Sequence, residues 1–202
     1  PDGPGAVILP AMRICVYCAS SNSCDPEYHA AARELGVRLA AAGHQIVYGG
    51  GARGSMGALA DGALGAGGQV HGVLPHFMNE IEWGHRGLSG LELVDDMRTR
   101  KHRMLERADA VIALPGGSGT LEELFEALTL KRLGLLPIPI LLVDTRGFYT
   151  QLEALLVRCV EERFMAREHL AMWRRVADPE AALAALAEGS SWPADALRFA
   201  AT

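Results

Sequence analysis

Short unbroken apolar runs of strand length alternate with stretches of helical period along nearly the whole chain, and this alternation restricts the fold more than any other feature. The runs read "RICVYCA", "HQIVYGG", "GQVHGVL", "LELV", "ADAVIALPGG" and "PIPILLVD". Helices are expected at Glu27 to Ala42, Met56 to Leu64, Arg98 to Arg107, Leu121 to Leu133, Tyr149 to Glu162 and, after "WRRVAD", Pro179 to Ala187. Strands without a polar face must be covered on both sides, so the pattern predicts an α/β fold with a parallel sheet and helices on both faces. Such sheets bind ligands at the carboxyl ends of their strands. With 202 residues, half of them apolar, the chain supports one sizeable core, and a single domain over residues 12–188 is expected. Residues 1–11 read as a loose leader or expression remnant, and residues 189–202 as a mobile C-terminal tail.

A formal net charge of -5 without a basic run gives no electrostatic footprint for nucleic acid. No apolar run approaches the roughly 18 residues that a membrane span requires, and no basic segment precedes the short apolar patch of the first residues. These features predict a cytoplasmic protein. Its four cysteines do not make a disulfide framework, and Cys15 and Cys18, a CxxC inside an apolar run, read as core residues. There is no HExxH and the histidines are scattered, so no metal site is expected.

Two strands end in glycine-rich turns that open helices. In "YGGGARGSMG", Gly49, Gly51 and Gly54 satisfy G-x-G-x-x-G, but a dinucleotide site would follow the first strand and place an acid at the end of the next. That next strand ends "GVLPHF", which disfavours NAD. What remains is backbone N–H groups free to approach an anion, or simply a tight turn. "ALPGGSGT" repeats the arrangement, and "CASSNS" adds Ser20 and Ser21 as donors after the first strand. Three such turns on one sheet edge point to a phosphate-bearing ligand, a nucleotide by preference. The absence of GxxxxGK[ST] and of G-x-S-x-G argues against P-loop hydrolysis and a serine elbow.

Between these turns, "DDMRTRKHRMLERAD" gathers Arg98, Arg100, Lys101, Arg103 and Arg107 in a chain whose only lysines are Lys101 and Lys131. At 100° per residue Arg100, Arg103 and Arg107 share a face while Arg98 and Lys101 point elsewhere. Cations at a helix start oppose the macrodipole, which suggests a ligand or carboxylate partners. In "PGGSGTLEE", Thr120 and Glu123 have the spacing of a capping box. The residues alone leave open whether Glu123 caps a helix or faces a ligand.

The motifs become specific together. "PGGSGTLEE" resembles the PGGxGTxxE signature, "MRTRK" the arginine-lysine motif and "GGGARGSMG" the GGGxxGxMG turn of the Lonely Guy family, cytokinin-activating phosphoribohydrolases whose relatives are often labelled lysine decarboxylases. The likeness runs from about Met12 to Arg175; "CASS" stands where CGSS is common, and Ser118 fills the variable place. The resemblance implies a doubly wound, Rossmann-like nucleotide-binding catalytic domain, usually homodimeric, with no cofactor and no metal. It implies hydrolysis of the N-glycosidic bond of an adenine nucleoside 5'-monophosphate, releasing base and ribose 5-phosphate. Arg100 and Glu123 inherit the catalytic assignment. Substrate contacts are implied along the glycine turn (Gly50, Gly51, Gly54, Met56, Gly57) and at Glu82, Met97, Arg98 and Lys101. They continue through the signature and its helix: Pro115, Gly116, Gly117, Ser118, Gly119, Thr120, Leu121, Glu122 and Thr129.

The chemistry fits that assignment. Glycosidic cleavage builds positive charge on the sugar, which a carboxylate stabilises while activating water. Arg100 would orient that carboxylate or the ribose, since a guanidinium does not give up its proton. A pyridoxal-phosphate decarboxylase would need Lys101 or Lys131 as its Schiff-base lysine, and a non-catalytic nucleotide carrier on the same fold is the other alternative. Met97, Phe77 and Trp83 are candidates for the base pocket, core or an interface, and the choice of base stays open.

Overall fold

The computed structural model describes residues 10–80, 84–189, 192, 193 and 198. Glu82 and Trp83, the leader up to residue 9 and most of the C-terminal tail lie outside the described residues. Seven strands, β1 (Arg13–Tyr17), β2 (Gln45–Tyr48), β3 (Gln69–Pro75), β4 (Gly90–Val94), β5 (Ala110–Ala113), β6 (Ile140–Val143) and β7 (Arg174–Val176), form one sheet in the order β4-β3-β2-β1-β5-β6-β7. Every pairing is parallel. The order runs outward in both directions from β1, so the switch point lies between β1 and β5, where the crossovers leave a crevice at the carboxyl ends.

The helices are α1 (Pro26–Ala41), α2 (Gly54–Gly65), α3 (His76–Glu80), α4 (Met97–Leu105), α5 (Ser118–Arg132), α6 (Thr150–Glu161) and α7 (Pro179–Glu188). Strand alternation sorts them into two layers. Ile14 and Val16 of β1, with Cys18 just after it, join a core with Leu35 and Leu39 of α1, Leu59 and Ala63 of α2, and Ala182 and Leu186 of α7. Cys15 and Tyr17 point the other way, to Met104 of α4, Leu124 and Leu128 of α5, and Leu156 of α6. Cys15 and Cys18 are buried free thiols, so the CxxC is core.

Two boundaries depart from the periodicity, and two short elements escape it. α4 stops at Leu105, and Arg107 has φ 59°, outside the helix, so it does not extend the face of Arg100 and Arg103. α5 begins at Ser118, three residues before the first periodic apolar residue, because the Gly117 turn already has the geometry of a helix start. Arg174–Val176 forms an edge strand and His76–Glu80 a single short helix, both too brief to show a period.

Three helix starts carry an aspartate cap, whereas α2, α5 and α6, the last with Tyr149 as its N-cap, have no side-chain cap from the N-cap residue. Asp25, Asp96 and Asp178 cap α1, α4 and α7, their carboxylates accepting from the N–H groups of Glu27, Thr99 and Ala181. The N-caps of α2 and α5 are Arg53 and Gly117; neither helix has a side-chain cap or an acidic residue in its first turn. The Asp caps are ordinary stabilisers. Replacing Asp178 with alanine is therefore expected to lower stability by about 1 kcal/mol, read as the shift in urea midpoint at unchanged m, and to leave ligand binding untouched.

Candidate active site

A cavity of about 550 Å³ opens where β1, β2, β3 and α5 meet. Its wall is built from the ends of separate elements. Cys18, Ala19, Ser20 and Ser21 follow β1, and Gly49, Gly51, Ala52, Arg53 and Met56 follow β2. Leu74 closes β3, Met78 lies on α3, Met97 and Arg100 on α4, and Gly117 to Thr120 with Glu123 at the start of α5.

The floor is an ion pair. Arg100 and Glu123 are 4% and 5% exposed, and the Arg100 Nη1 donates to Glu123 Oε1 at 3.2 Å. The rest of the guanidinium is held by backbone: Nε donates to Val73 O at 3.1 Å, and Nη2 donates to Gly49 O at 3.1 Å. A buried arginine needs such complete pairing, because desolvation of an unmatched charge costs several kcal/mol. Burial pushes the Glu123 carboxyl from the ordinary 4.5 up to about 7; Arg100 and then Lys101 pull it down, but desolvation dominates. The folded chain thus holds this proton more tightly than the unfolded one. Stability from the group is present below about 4.5 and is lost as pH rises through about 7. The Cys18 thiol is pushed well up by burial and stays neutral, so it is no nucleophile.

The turns are locked together. The Gly54 N–H donates to Asn22 Oδ1 at 2.8 Å, and the Met56 N–H to Ala19 O at 3.0 Å. Gly54 has φ 58°, and a Cβ there would lie 2.4 Å from Ser21 O, so only glycine lets the second turn seat on the first. At Gly49 a Cβ would lie 1.9 Å from Arg100 Nη2. The first glycine of the motif therefore makes room for the guanidinium.

The capping box does not form. Thr120 is inside α5, its N-cap is Gly117, and Glu123 turns to Arg100. Thr120 instead packs on Gly116, where a Cβ would come within 2.2 Å of its Oγ1. Two basic residues of α4 pair with carboxylates, Lys101 near its middle and Arg103 in its last turn. Lys101 pairs with Glu122 and Glu126, and Arg103 with Glu92 and Glu106.

Of the expected contacts, Ser20, Ser21, Gly51, Met56, Met97, Arg100, Gly117, Ser118, Gly119, Thr120 and Glu123 line the cavity. Gly54 and Gly57 line a shallower hollow beside α2, and Gly50 lies behind the wall, its carbonyl accepting from the His85 N–H. Pro115, Gly116, Leu121 and Glu122 support the turn without lining the cavity, and Arg98 and Lys101 lie outside it. Thr129 is exposed farther along α5 and donates to Phe125 O at 2.7 Å. Phe77 is exposed and off the wall. The sequence reading missed Cys18, Ala19, Ala52, Arg53, Leu74 and Met78, and had Gly49 only as a glycine of the turn. The first two could have been found by following β1 past its end, but α3 is too short for periodicity to reveal Met78.

A family model described as "Possible lysine decarboxylase" matches residues 56–186, which include both members of the ion pair. The chain is 40% identical over 154 residues to cytokinin riboside 5'-monophosphate phosphoribohydrolase LOG1 of Arabidopsis thaliana, covering 76% of this chain and 72% of that protein. It is equally similar to LOG7 of the same plant, of which 71% is covered, and to the probable phosphoribohydrolase LOGL6 of Oryza sativa subsp. japonica, of which 62% is covered. Among solved structures it resembles the molybdenum cofactor carrier protein of Chlamydomonas reinhardtii, with TM-score 0.68 and 22% identity over 89% of this chain and 98% of that one. The molybdenum cofactor binding protein of Rippkaea orientalis gives 0.66 and 21% over 89% and 98%. Likeness at that identity speaks to the fold.

Substituting Gly49 by alanine places a methyl group where Arg100 Nη2 now sits. We expect the variant to keep its far-UV circular dichroism but to unfold at a lower urea concentration, because the buried guanidinium must give up one of its three acceptors.

Proposed function

The chain belongs to the family whose model carries the description "Possible lysine decarboxylase", and from that premise we propose that it is a phosphoribohydrolase. It cleaves the N-glycosidic bond of N6-substituted adenine nucleoside 5'-monophosphates to a free base and ribose 5-phosphate. The observation that carries this reading is the buried Arg100–Glu123 pair on the floor of a nucleotide-sized cavity. A carboxylate with its proton affinity raised to about 7 is suited to exchange a proton at neutral pH.

The geometry supports a division of labour. The N-termini of α2 and α5 lack carboxylate caps, carry the positive end of the helix dipole and meet at the cavity, which suits the 5'-phosphate. Arg53 at the rim adds a positive charge. Met56, Leu74, Met78 and Met97 form an apolar wall that suits the adenine and its substituent. Glu123 then faces the sugar. Its ionised form stabilises the oxocarbenium-like transition state and takes a proton from the attacking water, the water oxygen bonds to the anomeric carbon, and the base departs with the bonding electron pair and acquires a proton. Arg100 orients the carboxylate and favours its ionised form.

The decarboxylase label finds no support in this site. Lys131 is buried away from the cavity, its Nζ donating to Ile138 O at 2.6 Å, and Lys101 is ion-paired along α5. Neither reaches the cavity as a Schiff-base lysine would. The substrate class carries a cytoplasmic location with it, since a charged nucleotide does not cross membranes unaided.

The test is incubation with AMP, isopentenyl-adenosine monophosphate and adenosine, with chromatographic detection of free base. Both nucleotides should be consumed and adenosine hardly at all, because the phosphate supplies the binding energy that positions the sugar. Glu123→Gln should bind AMP yet turn over roughly a hundredfold slower or worse. In the parent chain kcat/KM should rise with pH and level off above about 7, as the carboxylate ionises. Bound AMP with no adenine released would make the chain a nucleotide binder instead.

Self-association is part of the same proposal. Phe125, Leu133 and Leu135 of α5 and the turn after it remain exposed, Leu135 by 68%. A homodimer would cover them. Light scattering at micromolar concentration should report twice the chain mass of 21.6 kDa; a monomer would contradict this.

A further inference from the structure

Three of the chain's seven methionines, Met56, Met78 and Met97, line the same cavity and reach it from three separate helices, α2, α3 and α4. Met97 is 39% exposed and the other two are half-buried, whereas Met104 and Met172 belong to the core and are 0% and 3% exposed. A mouth that admits a nucleotide also admits a peroxide. The thioether fits irregular apolar surfaces because it is soft and flexible, and the same sulfur takes up an oxygen atom. Beyond the proposed hydrolase reading, on which it rests for the identity of the ligand, we propose that this methionine wall is a site of reversible oxidation: a peroxide converts its thioethers to sulfoxides, and the cavity loses affinity for N6-substituted adenine nucleotides.

With hydrogen peroxide the step balances without another reagent. The methionine sulfur attacks one peroxide oxygen, the S–O bond forms as the O–O bond breaks, and the departing hydroxide takes the proton of the transferred oxygen and leaves as water. The sulfur loses the electron pair that the peroxide gains. A flexible apolar group has become a polar, chiral one. A sulfoxide on that wall holds water, which the base and its substituent must strip away before they can pack. Met56 adds a second effect. A Cβ on Gly49 would meet the Met56 methyl group at 3.0 Å and Arg100 Nη2 at 1.9 Å, so a sulfoxide oxygen there becomes a new acceptor close to the guanidinium that holds Glu123. The remaining sulfur of the wall, Cys18, is a buried neutral thiol and does not compete for the peroxide.

The test treats the chain with hydrogen peroxide in the presence and absence of saturating AMP and reads each methionine by peptide mass spectrometry. Shielding and the Kd of AMP and isopentenyl-adenosine monophosphate are measured on Glu123→Gln, so that the nucleotide is not consumed, and kcat/KM is measured on the parent; should Glu123→Gln not fold, the parent's KM replaces its Kd. Met56, Met78 and Met97 should each gain one oxygen, AMP should shield all three, and Met104 and Met172 should stay reduced. The Kd of the isopentenyl nucleotide should rise roughly tenfold or more, the scale of removing one apolar side chain from a contact, and kcat/KM should fall with it. Methionine sulfoxide reductases with dithiothreitol should restore both values, whereas dithiothreitol alone, which reverses reversible oxidation at the half-buried Cys24 and Cys159, should not. Met97→Leu, compared with its own untreated Kd, should lose less on the same treatment, since leucine has no sulfur. Unchanged affinity with all three methionines oxidised overturns the proposal. So does a loss that dithiothreitol alone reverses, or oxidation of the three that nucleotide does not shield. If the parent shows no turnover, the hydrolase reading fails alone, because Kd and shielding still report on the wall.

Discussion

Everything at the site depends on keeping one charged guanidinium out of water. Arg100 is nearly fully buried, and three of its N–H groups are taken by Glu123 and by the carbonyls of Val73 and Gly49. Val73 belongs to β3, Gly49 to the turn that follows β2 and Glu123 to α5, so the arginine of α4 joins both glycine-bearing regions to the sheet. The requirement propagates outward. Gly49 must lack a side chain because the guanidinium occupies that space. Glu123 must sit on the first turns of α5 facing inward, and α4 must be capped from outside by Asp96, since its own first turns carry cations.

Pairing is not free of tension, and the tension has a use. A buried ion pair is a poor source of stability compared with apolar packing, because desolvation consumes most of the Coulombic gain. Here the imbalance appears on Glu123, whose proton is held to about 7 in spite of the adjacent arginine. A site built only for stability would have no reason to leave a carboxylate so poised. The treatment of helix starts shows the same preference. α1 and α7 start with aspartate caps, whereas α5 starts at the cavity with Gly117 as its N-cap and no side-chain cap. Local stability is given up at that start, where an anion can supply the missing partner.

The scaffold makes this arrangement repeatable in chemistry of different kinds. Its fold is shared at 22% identity with a molybdenum cofactor carrier protein, so the parallel sheet and its switch-point crevice do not decide what is done there. What separates a reacting site from a holding one is the placement of a few side chains over that crevice. In this chain the distinguishing group is a buried acid on the cavity floor, paired with Arg100 and flanked on α5 by Glu122 and Glu126, which pair with Lys101.

The six longer strands, six of the helices and the glycine turns at strand ends were legible in the chain, because periodicity and turn chemistry are local properties carried by neighbouring residues, whereas the pairing of "MRTRK" with "PGGSGTLEE" came from the family resemblance. Local reasoning also limited the reading. Thr120 and Glu123 have the spacing of a capping box, and only the packed helix shows that Gly117 is the cap and that Glu123 turns away. Arg107 has the spacing to extend the Arg100 face, but the chain leaves the helix before it. Lys101 stands next to Arg100 in sequence, yet the 100° between them on α4 sends one into the cavity and the other to the flank of α5. The sequence by itself determined the sheet, the edge at which the cavity opens and the residue types that meet there. Which acid meets which base was decided only by tertiary structure, because Arg100 and Glu123 lie 23 residues apart and their contact, like the desolvation that tunes it, exists only once α4 and α5 pack on the same side of the sheet.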